Sequence, residues 1–259
     1  MRFTLSGRRA LVTGASSGIG RAIARELAAR GTDLVVTARR RERLEALCNE
    51  LGGRVSVDPI VVDLAREDGA RSLVDEVEAL GAPVDVLVNC AGFGLKGPAL
   101  DQPWERERSM LVLNVLAVAE LTKHFGRAMA ERGDGRILQV ASTVAFQPCP
   151  GYAAYAATKT FVLHHGEALA EELREAGVGV SVLCPGSTDT EFFDAAGIER
   201  NRVRRATSLT PDRVARAGVD AIVRNRRLVV PGVGNRLGAS AVRFLPRRFQ
   251  VAAARRLLR

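Results

Sequence analysis

The chain has 259 residues, 47% hydrophobic and 26% charged, which suits one large core and is too apolar for disorder. Its net charge of +9 is local: no acidic residue follows Asp220, and ten arginines end the chain, leaving residues 1–223 with 28 basic against 29 acidic side chains. No apolar run reaches the ~20 residues of a membrane-spanning helix. No secretory pattern opens the chain, and Cys48, Cys90, Cys149 and Cys184 form no C-x-x-C pair, so neither a metal site nor a disulfide framework is expected and the cytoplasm is the expected location.

In chain order, the first buried run (10–13) leads into Thr13-Gly14-Ala15-Ser16-Ser17-Gly18-Ile19-Gly20 and a helical pattern over 19–29. Glycines between a strand and a helix permit a tight turn, and the helix start offers free N–H groups to a pyrophosphate. The second run (34–38) ends at Ala38 and Arg39, ahead of a helix over 40–51. An acidic residue there would favour the ribose 2′-hydroxyl of NAD. Ala38 followed by the Arg39 guanidinium suits a 2′-phosphate instead, so NADP(H) is expected.

Further strands are expected at 55–62, 84–89, 137–141, 178–184 and 228–230, and helices at 66–80, 103–132, 152–176 and 210–225. The runs are short, rich in Val, Leu and Ile, and not alternating, as in strands buried on both faces. The expected architecture is therefore a doubly wound α/β Rossmann fold, with a mostly parallel seven-stranded sheet and helices on both faces. Residues 1–235 would form the catalytic domain, with a substrate lid near 186–210, and residues 236–259 a basic C-terminal extension.

The spacing T-G-x-x-x-G-x-G resembles the classical short-chain dehydrogenase/reductase family, and further motifs follow in order. Asp63-Leu64 stands where the family contacts adenine, and Asn89-Cys90-Ala91-Gly92 resembles N-N-A-G with Cys90 for the second Asn. Asn114 falls in the helix that carries the family's relay asparagine. Ser142 ends the fifth strand, thirteen residues before Tyr155, and Tyr155 with Lys159 forms Y-x-x-x-K. Pro185-Gly186, Thr188 and Thr190 resemble P-G-x-V-x-T. The resemblance is close over about 8–190 and looser beyond.

It implies hydride transfer between a nicotinamide and a ketone or secondary alcohol. Tyr155 would be acid and base, Lys159 would lower its pKa and hold the ribose, Ser142 would orient the carbonyl, and Asn114 would relay protons. Gly14, Ser16, Ser17, Gly18, Ile19, Gly20, Arg39, Asp63, Leu64, Asn89, Ala91, Gly92, Tyr155, Lys159, Pro185, Gly186, Thr188 and Thr190 would hold the cofactor. Tyr155 and Lys159 are four apart, hence on one helical face, and a nearby ammonium with a positive nicotinamide should lower the phenol from its usual pKa near 10. Tyr152 has Ala156 four residues on and lacks that partner.

A homodimer or homotetramer is implied by the family. An apolar or 3-oxoacyl-type substrate is expected, facing Phe93, Phe146, Pro148, Cys149 and Pro150, with Phe192 and Phe193 on the lid or in the core. The tail could form a basic helix over 247–259, with Arg248, Arg255 and Arg259 on one edge and Phe249, Ala252, Ala253 and Leu257 on another. It suits an anionic membrane surface, an acidic partner, a phosphate-rich substrate, or a solvated cover over the cleft. No nucleic acid is expected, since the core is neutral and no aromatic–basic interleaving occurs. The alternatives are a dinucleotide-binding sensor or scaffold without turnover, and a nucleotide-sugar epimerase or dehydratase.

Overall fold

Short runs of Val, Leu and Ile become strands because both of their faces find a helix to bury against. The computed structural model describes residues 3–191 and 208–257. The strands are β1 (Arg9–Thr13), β2 (Asp33–Ala38), β3 (Val57–Val61), β4 (Val86–Asn89), β5 (Gly135–Val140), β6 (Val178–Leu183) and β7 (Leu228–Val229). They form one sheet in the order β3-β2-β1-β4-β5-β6-β7, with every pairing parallel.

The helices are α1 (Gly18–Ala29), α2 (Arg41–Leu51), α3 (Gly69–Ala79), α4 (Trp104–Leu111), α5 (Ala117–Arg132), α6 (Ala153–Glu172), α7 (Pro211–Arg224), α8 (Val233–Val242) and α9 (Arg247–Leu257). Alternation along each strand divides the core. Leu11, Val35, Leu87 and Ile137 pack with Leu73, Val77, Leu121, Phe125 and Met129 of α3 and α5. Val12, Val36, Val88 and Leu138 pack on the other face with Ile23, Leu27, Leu44, Leu47, Val219 and Ile222 of α1, α2 and α7. Truncating one such residue to Ala typically costs about 2–5 kcal/mol.

After β1, the chain winds outward through β2 and β3, then returns to place β4 on the other side of β1. A crevice opens at that reversal, beyond the carboxyl ends of the strands, and most of the expected site residues line it.

The expected elements recur with shifted ends, and one is altered in kind. The helix expected over 103–132 is α4 and α5 joined by a single π-helical turn, Val112–Leu116. α7 has both start signals its sequence suggests: Thr210 Oγ1 accepts from the Arg213 amide at 3.3 Å, and Pro211 opens the first turn. The basic helix expected over 247–259 is α9, and a further helix, α8, precedes it, with Pro246 between the two, a residue that cannot continue the α-helical ladder. All four thiols are free: Cys149 and Cys184 are buried, and Cys48 and Cys90 are partly so.

Candidate active site

The crevice is a cleft of about 930 Å³, within the range that holds small ligands and cofactors. Its nucleotide end is built by β1 and the turn into α1. Thr13 pins the turn to the neighbouring strand: its Oγ1 donates to the Val88 carbonyl at 3.2 Å and accepts from the Cys90 and Ala91 amides, each at 3.0 Å. That draws Gly14 so close that a Cβ there would sit 2.8 Å from Ala91 Cα, and its φ of +71° also favours glycine. A Cβ on Gly20 would collide with the Gly14 carbonyl. Ser17, the residue before α1, makes no side-chain cap bond, so the first amides of α1 are left to an anion. This cradle fits the diphosphate of a dinucleotide.

The end of β2 differs from the expectation. Arg39 is two-thirds exposed, and its closest acidic group is Asp63, 3.9 Å away. Arg40 takes the position over the glycine-rich turn: Nη2 donates to Ser16 Oγ at 3.1 Å and Ser17 Oγ at 2.8 Å, and Nη1 to Glu191 at 2.8 Å. Arg43 also reaches Glu191, at 2.5 Å. These two hydrogen bonds, Arg40 foremost, hold the Glu191 carboxyl below its usual pKa. Asp63 Oδ1 accepts from the Ala65 amide at 3.0 Å, and Leu64 is buried beside it.

At the other end, β5 and α6 bring Ser142, Tyr155 and Lys159 together. Tyr155 and Ser142 both line the cleft, the Ser142 hydroxyl favours the Tyr155 phenolate, and its Oγ accepts from the Val144 amide at 3.3 Å. Lys159 is buried, and its Nζ donates to the Val140 carbonyl at 3.0 Å. Asn114 is fully buried within the π-helical turn. Its Nδ2 donates to the Phe93 carbonyl at 2.9 Å and Thr158 Oγ1 at 3.1 Å, while Oδ1 accepts from the Phe93 amide at 3.3 Å. Gly92 lies between them, since a Cβ there would stand 3.0 Å from Asn114 Oδ1 and 3.3 Å from Lys159 Nζ.

The protein's own groups push the Tyr155 phenol up, against the lowering expected from sequence. Burial outweighs the Ser142 hydrogen bond that favours the phenolate. Burial likewise lowers Lys159 to about 8 and raises Cys90 to about 12.

Past β6, the Pro185 carbonyl accepts from the Thr143 amide at 2.9 Å, tying this strand end to Ser142. Thr188 Oγ1 donates to the Gly186 carbonyl at 3.0 Å, and Thr190 hangs over Gly18. The structure thus brings the expected residues together with two exceptions, Asn89 and Asn114. Asn89 Nδ2 donates to Thr122 Oγ1 and Gln139 Oε1 inside the sheet, so the side chain is structural support, not a cleft wall. Asn114 stands one layer behind the wall.

Sequence reasoning missed Arg40, Glu191 and Asn235 as cleft residues. Arg40 was signalled only by its place in an arginine run, and Asn235 by nothing local. Of the expected substrate wall, Phe93 lines the cleft, joined by Leu113, Val144 and Tyr152. Phe146 and Cys149 pack into core clusters instead, and Pro148 and Pro150 face solvent. Phe192, Phe193 and Arg259 lie outside the described residues, as does most of the expected lid. No group of three or more His, Cys, Asp or Glu is placed to hold a metal among the described residues.

Comparison with known proteins gives the same picture. The family described as short chain dehydrogenase matches residues 8–201. A short chain dehydrogenase of Pseudocercospora fijiensis is 41% identical over 193 residues, 73% of this chain and 62% of that protein, so the match leaves over a third of the relative unspanned. The solved short-chain dehydrogenase from Sphingobium yanoikuyae in complex with NADPH superposes with a TM-score of 0.82, at 31% identity over 90% of this chain and 92% of the other. A 3-ketoacyl-(acyl-carrier-protein) reductase from Brucella melitensis complexed with NADH gives 0.78, at 28% identity over 88% and 98%.

Proposed function

The chain belongs to the short-chain dehydrogenase family of oxidoreductases, and we propose that it is an NADP(H)-dependent carbonyl reductase acting on apolar or 3-oxoacyl-type ketones. The observation that carries the reading is the convergence of Ser142, Tyr155 and buried Lys159 on one dinucleotide-sized cleft, with buried Asn114 one layer behind.

The bound reduced dinucleotide supplies the hydride. Ser142 donates to the carbonyl oxygen and orients it, and Tyr155 gives that oxygen its phenolic proton as charge develops. Tyr155 is protonated before the transfer, as any phenol is at neutral pH, and giving up its proton leaves a phenolate that the site has to stabilise. Lys159 steadies the phenolate that remains and holds the ribose, and Asn114 keeps a water path from Lys159 to solvent. Arg39 and Arg40 select the 2′-phosphate. Gly14, Gly18 and Gly20 admit the diphosphate, and Thr188 and Thr190 fix the carboxamide.

Apolar substrates follow from the Phe93, Leu113, Val144 and Tyr152 wall, which carries no basic side chain for a small carboxylate among the described residues. A likeness to the 3-ketoacyl reductase supports an acyl chain. Exposed Leu100, Trp104 and Leu116 lie on or beside α4 and support a subunit interface in a homodimer or homotetramer. No helix among the described residues is long and apolar enough to cross a membrane, and the cytoplasm is the proposed location.

The test is dinucleotide oxidation with a 3-oxoacyl thioester beside a small apolar ketone, using NADPH and NADH in turn. The expected result is at least about tenfold higher kcat/KM with NADPH, from the added phosphate contacts, and a preference for the thioester. Tight dinucleotide binding with no turnover of either ketone would replace this reading with that of a non-catalytic sensor.

A further inference from the structure

Eleven large hydrophobic side chains are exposed among the described residues, and six of them fall within 233–251: Val233, Leu237, Phe244, Leu245, Phe249 and Val251. Isolated exposed apolar residues are ordinary, but a cluster of this kind marks an interaction surface. The spacing organises it. Val233, Leu237, Ala241 and Phe244 recur at helical intervals, so α8 and the turn after it present one apolar stripe to solvent. Arg236 and Arg243 flank that stripe on one side. Arg247, Arg248, Arg255 and Arg256 of α9 add to the charge, with no acidic residue after Asp220 to offset it.

The helix pair is held in this form. Gln250 Nε2 donates to the Val242 and Leu245 carbonyls at 2.9 and 2.8 Å, fastening α9 to the end of α8. Asn235 Nδ2 donates to the Pro231 carbonyl at 2.9 Å, and Ala254 is buried beside Met110, Cys149, Tyr152 and Tyr155. The exposed stripe thus belongs to a fixed platform at the substrate end of the cleft.

We propose that the α8–α9 pair docks the protein on an anionic phospholipid surface, with Val233, Leu237, Phe244 and Phe249 entering the headgroup–acyl boundary and the arginines holding lipid phosphates. Three features favour this occupant. Aliphatic and phenyl groups beside guanidinium groups match the two layers of a bilayer interface. A second copy seated on the same face would oppose arginine to arginine. An acidic protein patch would satisfy the charge and leave the aliphatic stripe without a counterpart. This inference does not depend on the substrate assigned above.

The test is flotation of the whole chain with vesicles of phosphatidylcholine alone and of phosphatidylcholine mixed with phosphatidylglycerol, at about 50 mM and about 500 mM salt. Capture by the anionic vesicles only, weakened about tenfold or more by the higher salt, is expected. Leu237→Asp with Phe244→Asp should reduce capture by about tenfold or more, as should Arg236→Gln with Arg243→Gln. Dinucleotide affinity and the melting temperature should be unchanged in both variants. Absence of anionic-vesicle binding would overturn the proposal, as would binding indifferent to the Leu237/Phe244 pair. A drop in sedimenting mass for that pair would assign the stripe to a second copy instead.

Discussion

The two ends of the cleft are built on opposite principles. At the floor, Tyr155, Lys159 and Asn114 are buried, hydrogen bonds to the chain hold Lys159 and Asn114, and desolvation governs how Tyr155 and Lys159 titrate. At the rim, Arg39, Arg40, Arg43 and Glu191 are 41–66% exposed, and opposite charges set their arrangement. Groups at the floor are withdrawn from bulk water, so removing one leaves a buried vacancy or an uncompensated polar atom. Those at the rim exchange partners with water and ions at little cost. The proposed chemistry falls where substitution is severe, and the proposed choice of cofactor where it is graded.

The hardest test of that contrast is Tyr155→Phe, which keeps the packing and removes the proton. Turnover should fall by about 10²–10⁴ while dinucleotide affinity holds. Substantial remaining activity would dissolve the distinction at its strongest point.

Lys159 gives a thermodynamic version. Burial lowers it from 10.5 to about 8, so between those values the unfolded chain keeps a proton that the folded chain has released. This group therefore makes stability rise with pH from about 8 to 10.5, and its burial penalty is greatest below 8. Lys159→Met should abolish that rise, on the order of a few kcal/mol across the window. Cys149 and Tyr155 are raised by burial and pull the other way above about pH 9 in both proteins alike, while Cys90 and Cys184, also raised, feel the Lys159 charge and count with the lysine's own contribution. The difference between the two pH–stability curves isolates the lysine.

At the rim, Arg40→Gln should weaken NADPH by about tenfold and NADH little, read by fluorescence titration. Arg39→Gln should cost less; the reverse order would make Arg39 the residue that reads the 2′-phosphate. The smallest effect belongs to Glu191→Gln. With that carboxylate gone, Arg40 is released to the phosphate, and NADPH should bind about two- to fourfold more tightly at low salt. Weaker binding would mean that Glu191 positions Arg40 and does not compete for it.

Much of the fold was legible because a parallel sheet buries both faces of its strands, which makes 10–13, 34–38 and 178–184 read as mainly apolar runs. The catalytic spacing was legible for a comparable reason, since Tyr155 and Lys159 share a helical face whatever surrounds them. What escaped depends on contacts distant in sequence. The direction of the Tyr155 shift follows from burial that no local pattern reports. Asn89 belongs to a family motif, yet its side chain turns into the sheet toward Thr122 and Gln139. Arg40 joins Arg39 at the cleft because the last residue before α2 is aimed at Ser16 and Ser17, a distinction of one position at the end of an element. Asn235 comes from α8, 49 residues beyond Gly186, and meets it only through the tertiary fold.

The π-helical turn at Val112–Leu116 bears on how this gene can change. Such a turn holds one residue more than regular α-helix would, so deleting a single codon there would restore ordinary winding. Each residue removed turns what precedes it by about 100° and draws it along by about 1.5 Å. Met110, now buried against the tyrosine cluster, would be swung out of it, and Asn114 would lose its alignment with Phe93 and Thr158. Along this stretch the number of residues between Met110 and Asn114 is under stricter selection than the identity of each one between them.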